Sequence, residues 1–225
     1  MSGDRRQRSR PRSVGLRSSH SAFAEAAQDA KMTKAERAEL VELLLESERE
    51  FMQELEGVNE QQWSFKLEPD RWSVGEVVEH IVFADGLLFD TATKSLTGQA
   101  DAQWDATLSK TETLRQALPD RSCRVDAPGV IQPRRAMPRE ELLSRFIDQR
   151  ARVLKYARET DAPLKAHTAA NPFFGRLNAH QWLLYIPLHH LRHNQQIAEV
   201  KASAACPRYW VRGATALGRR GSLVE

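Results

Sequence analysis

LLYIPLHHLRHNQQIAEV, residues 183 to 200, holds three of the chain's seven histidines within five positions. Its apolar residues recur at helical spacing, and on a helix His189 and His193 stand one turn apart on a single face. Two imidazoles so placed can grip one metal ion, as other helical His-x-x-x-His sites do. The competing reading is two surface or core histidines at that spacing by chance. The choice turns on whether the rest of the chain supplies a third ligand.

The same pattern predicts a helix from Asn178, a good cap, to about Lys201. Its inward stripe is Trp182, Tyr185, Ile186, His189, His193, Gln196 and Val200. His190 points about 100° away and is the weakest ligand of the cluster. Pro187 removes one backbone hydrogen bond and is expected to bend the axis. Leu184, Leu188 and Leu191 form a second apolar strip. A helix apolar on two faces needs two partners, so either deep burial or a homodimer contact is expected there.

Upstream, Ser73 followed by Glu76 forms a capping box that opens a helix running to about Ser95. Val74, Val77, Ile81, Ala84 and Leu88 trace its buried stripe, and His80 lies on it. Alone, His80 is explained by a hydrogen bond to a backbone carbonyl or to Glu76. Beside His189 and His193 the balance shifts, because a buried imidazole needs a partner and a shared ion also accounts for the other pair. The candidate metal ligands are therefore His80, His189 and His193, with Glu76 or Gln196 placed to orient a ligand imidazole. No catalytic residue separate from these is identified.

Two further helices complete the set. The first spans residues 33 to 58, capped by Thr33 and Glu36, and buries Leu40, Leu44, Phe51, Leu55 and Val58. The third long helix, Arg139 to Glu159, presents Leu143, Phe146, Ile147, Val153, Leu154 and Ala157. Arg150 falls on that side and is expected to snorkel to the rim or to meet an anionic substrate. Between them, residues 59 to 72 fold back onto the body. Residues 96 to 138 are irregular, with a short helix near Ser109 to Leu118, and form either a lid or substrate wall or a passive connection. Residues 160 to 176 connect to the last helix. Four long helices without a strand pattern predict an all-α four-helix bundle, the architecture whose interior houses metal sites.

The expected domain organisation is a disordered Arg/Ser-rich tail over 1–31, the bundle over 32–201 and a flexible basic tail over 202–225. Formal net charge is +3 for the chain. Residues 1–22 hold six arginines and one aspartate, and residues 201–225 five basic residues and one glutamate, so residues 23–200 carry −6. The basicity belongs to the ends. That argues against a body-wide phosphate-binding surface, leaving only weak contact by a tail with nucleic acid.

Arg5 and Arg6 resemble a twin-arginine start, but no hydrophobic segment follows, which argues against export. An Arg-rich, Ser-rich, acid-poor start also suits a transit peptide. Met32, immediately before the first periodic helix, is the expected real or ancestral start. No apolar run approaches the ~20 residues of a membrane span, so a soluble, membrane-free protein is expected. Cys123 and Cys206, without CxxC spacing, suit reduced thiols in a cytoplasmic protein.

The pairing of RWSVGEVVEHI (71–81) with NPFFGRLNAHQWLLYIPLHHLRHNQQI (171–197) resembles the DinB-like (DinB/YfiT-like) superfamily of four-helix bundles. The resemblance covers about residues 33 to 200. Its specific part is the histidine set, the FG-x-L-x-x-x-x-W lead-in and the RH-x-x-Q ending. In that family one histidine of the second helix and a His-x-x-x-His pair of a later helix bind a divalent metal, positions matched here by His80, His189 and His193. The resemblance implies nickel or zinc, a homodimer, and kinship with thiol-dependent enzymes such as mycothiol-dependent maleylpyruvate isomerase and bacillithiol S-transferases. Asn171 departs from the family, in which histidine often precedes Pro-x-Phe-Gly, and so does the Arg-rich N-terminal extension.

The resulting expectation is a metal-dependent enzyme that activates a thiol or water against a small electrophilic molecule, most like a thiol S-transferase, with a low-molecular-weight thiol as cosubstrate. The alternative is a non-catalytic metal-binding bundle acting as a stress-response interaction protein, its partner on the outer strip of the last helix.

Overall fold

The long helices start where their caps place them. In a computed structural model that describes residues 28–122, 125–134, 136–203 and 205–207, α1 (Lys34–Leu55) begins after Thr33, whose hydroxyl accepts from Glu36 N while Glu36 returns a bond to Thr33 N. The same reciprocal box closes α2 (Glu60–Ser64) through Asn59 and Gln62, and α3 (Val74–Ser95) through Ser73 and Glu76. Each box satisfies N–H groups that a helix start leaves without intrahelical partners. After α4 (Lys110–Ala117) come α5 (Arg139–Glu159) and, through Asn178 and Gln181, α6 (Ala179–Ala202).

The expected all-α bundle is formed by α1, α3, α5 and α6. It carries one addition, an antiparallel hairpin of β1 (Thr168–Asn171) and β2 (Gly175–Asn178). The hairpin turn is specified locally. Asn171 Oδ1 accepts from Phe173 N at 2.9 Å and Phe174 N at 3.0 Å, and Gly175 adopts φ +69°, a region that favours glycine. Asn171, the departure from the family pattern, thus shapes this turn. Because β2 ends on the cap of α6, the hairpin also fixes where the last helix begins.

α6 is the central helix and packs chiefly against α3 and α1. Leu184 and Leu188, half of the expected two-faced pattern, are 1% and 4% exposed and belong to the same core cluster as Leu40, Leu44 and Leu183. Leu191, the third residue of that strip, is half-buried against the same cluster, so burial within the chain accounts for most of the second strip.

The stripe of α5 also needs correction. It runs through Leu142, buried at 1%, while Ile147 is 48% exposed. Arg150 neither reaches the rim nor faces the cavity. It is fully buried and donates to Leu44 O at 2.8 Å and Ser47 Oγ at 2.9 Å, with Asp85 Oδ2 at 3.4 Å. His190 Nε2 closes this network, 2.9 Å from the same Asp85 oxygen and 3.0 Å from Arg150 Nη2.

The expected tail over 1–31 extends too far. Ala30 is 1% exposed and its carbonyl accepts from Lys165 N at 2.8 Å, while Lys31 pairs with Asp161 at 3.0 Å. At the other end, Cys206 is buried. Residues 1–27 and 208–225, and Cys123, lie outside the described residues. Among the described residues, no helix is long and apolar enough to cross a membrane.

Candidate metal centre

His80 is carried by α3, and His189 and His193 by α6, so the tight contact between these two helices brings the three rings together. One nitrogen of each lies within 4.8 Å of the others. The nitrogens that meet are the Nε2 atoms: His80 to His189 at 3.3 Å and His193 to His189 at 3.0 Å. All three predicted residues converge, whereas His190 is turned into the Arg150–Asp85 network.

The opposite ring nitrogens fix the tautomers. His80 Nδ1 lies 2.8 Å from the Ile131 carbonyl and His193 Nδ1 2.9 Å from the Gln196 side-chain oxygen. A carbonyl only accepts, so each Nδ1 carries the proton and each Nε2 presents a lone pair. Both lone pairs are aimed at His189 Nε2. A single proton there can satisfy one neighbour but not both, so one lone pair faces another nitrogen unanswered, at a cost of about 1–3 kcal/mol for a buried group. A cation between the three nitrogens answers all of them. Three neutral imidazoles around one point are a donor set that fits a divalent ion.

Burial keeps the rings neutral. Desolvation holds His189 and His193 well below the ordinary histidine range, reinforced at His189 by His193 and His80, and at His193 by His80. His80 is lowered by burial too, against the opposing pull of its bond to Ile131. The Trp72 ring covers the cluster, with centroids 4.8 Å from His80 and 6.3 Å from His193.

The cluster opens on a cavity of about 790 Å³. The long connection after α4 forms one wall through Ala127, Pro128, Ile131 and Pro133. Two adjacent residues of α3 hold that wall: His80 by its bond to Ile131, and Glu79 by accepting from Arg134 N at 2.9 Å. The segment is thus packed on the bundle as part of the cavity lining. Gln196 orients an imidazole as expected, but Glu76 does not; it serves the Ser73 cap and pairs with Lys66 at 2.8 Å. The Ile131 carbonyl takes that role, and no side-chain pattern in the sequence marks a backbone oxygen 51 positions away.

No curated protein and no solved structure was found to match the chain. The family model of the DinB superfamily matches residues 43–197, a span that includes His80, His189 and His193 and well over half of the sequence. The chain belongs to the DinB superfamily.

Proposed function

We propose that the protein is a metal-dependent enzyme in which His80, His189 and His193 hold a divalent cation, nickel or zinc, that activates a thiol or water against a small electrophilic molecule. The observation that carries this reading is the convergence of three buried Nε2 atoms, two of them fixed as lone pairs by Ile131 and Gln196. The ion, when bound, supplies a Lewis acid that makes a thiol or water nucleophilic near neutral pH.

The chain's own residues define the rest. Ile131 and Gln196 hold their histidines in the ligating tautomer, and Trp72 shields the imidazoles from bulk water. The mixed apolar and polar cavity admits a compact organic molecule to the same point. All three proposed ligands are neutral side chains, which leaves the full charge of the ion for its fourth partner. Thiol S-transfer, with a low-molecular-weight thiol as cosubstrate, is the reaction that best suits a soft nucleophile beside an apolar chamber.

The test is a panel of thiols against chloronitrobenzene electrophiles, with protein loaded with nickel or zinc and with His189→Ala protein in parallel. Conjugation by the loaded wild type alone is the expected result. Equal rates for wild type and variant with every thiol would remove transferase chemistry from the account.

A further inference from the structure

Tyr185 lies one turn before His189 on the wall of the same cavity, and its hydroxyl has no hydrogen-bond partner among the described residues. A buried tyrosine normally finds one. This one is 9% exposed, and its ring is fixed on three sides: Trp182 stacks at 6.3 Å, Phe174 meets it edge-on at 6.1 Å, and His189 lies 5.8 Å away. The side chain is positioned, yet its polar end is unmatched.

Trp182 repeats the pattern. It lines the cavity too, and its indole N–H is buried without a partner. An indole nitrogen only donates. A tyrosine hydroxyl is protonated at neutral pH and can donate as well. Two unmatched donors on one wall call for an acceptor.

One cation of the lining, Arg71, suits an anionic acceptor. Arg192 follows Tyr185 by seven positions, on the same side of α6, and lines the cavity, with its guanidinium donating to the Asp120 carbonyl. Arg71 lines it beside Trp72, and its guanidinium makes no hydrogen bond or ion pair among the described residues. Arg121 also faces the cavity but is committed to Glu199, at 3.1 and 2.5 Å. The carboxylates of the lining, Asp70 and Asp126, belong to exposed residues.

We infer that Tyr185 is a substrate-binding residue, donating a hydrogen bond from its hydroxyl to the carboxylate, or equivalent oxyanion, of a compact apolar molecule held in the three-histidine cavity. The inference rests on the reading of this cavity as the substrate chamber. It does not require that the histidines carry an ion. Arg71 supplies the long-range attraction, and Tyr185 supplies the directed contact next to the reacting centre.

Benzoate is a suitable probe, being an apolar ring with one carboxylate. It is titrated into full-length, chelator-treated protein and followed by calorimetry and tryptophan fluorescence. Wild type binds it; Tyr185→Phe, which keeps the ring contacts, binds about tenfold more weakly, the size of one hydrogen bond to a charged acceptor. Arg71→Gln weakens binding severalfold and flattens its salt dependence. Metal content of Tyr185→Phe stays at the wild-type level, which separates this contact from the histidine cluster. Unchanged benzoate affinity in Tyr185→Phe, or no binding by wild type, overturns the inference. Metal-free wild type bears on the proposed metal centre instead, and leaves the benzoate result standing.

Discussion

His80 Nε2 lies 3.3 Å from His189 Nε2 across the packed faces of α3 and α6, although the two residues are 109 positions apart. The rings of His80 and His193 are held from their far sides by Ile131 and Gln196, so the convergence is built into the bundle core. The consequences extend from the ligands to the groups that orient them.

Gln196 is the clearest of those groups. It accepts from His193 Nδ1 at 2.9 Å, and Gln196→Ala leaves that proton without its partner. The expected loss is about 10- to 100-fold in metal affinity, measured by chelator competition, with little change in thermal stability of the metal-free protein. Wild-type affinity in the variant would show that Gln196 does not orient the ligand.

Behind the site, the Arg150–Asp85–His190 network is fully buried. Asp85→Ala strands the Arg150 charge in the core and is expected to cost about 3–5 kcal/mol in urea unfolding. The double variant Asp85→Leu with Arg150→Met removes both charges and is expected to lose less than either single change. Additive losses would mean that the two charges do not depend on each other.

Acid acts in part through His180, which burial pushes down to about 4 from 6.5, with Glu36 opposing. The folded state resists protonation while the unfolded chain accepts it, so this contribution is complete above pH 6.5 and is lost as pH falls toward 4. The loss is on the order of 3 kcal/mol. Urea midpoints of metal-free protein at pH 7 and pH 5 test it: the wild type weakens on acidification, and His180→Gln weakens less. An identical drop in both proteins would place the acid sensitivity elsewhere.

Much of this is legible in the sequence. The capping residues Thr33, Ser73 and Asn178 give three helix starts, and the apolar period of α3 and α6 puts His80, His189 and His193 on inward faces. What escapes is of two kinds. The hairpin strands TAAN and GRLN are four residues each, without apolar alternation, and exist through backbone pairing and the Asn171 turn. The Arg150 network escapes because a long cationic side chain on an apolar stripe usually reaches water. Only the three-dimensional packing brings Asp85, Ser47 and His190 within its reach. Leu184 and Leu188 escape for the same reason: an apolar strip does not say whether its cover comes from the same chain or another.

The central claim is that three histidines hold one divalent ion, and elemental analysis of purified protein tests it most directly. Wild type is expected to carry close to one nickel or zinc per chain, with His80→Ala, His189→Ala and His193→Ala each losing most of it while keeping a helical circular dichroism spectrum. Metal-free wild type, or wild-type metal content in all three variants, would contradict the account.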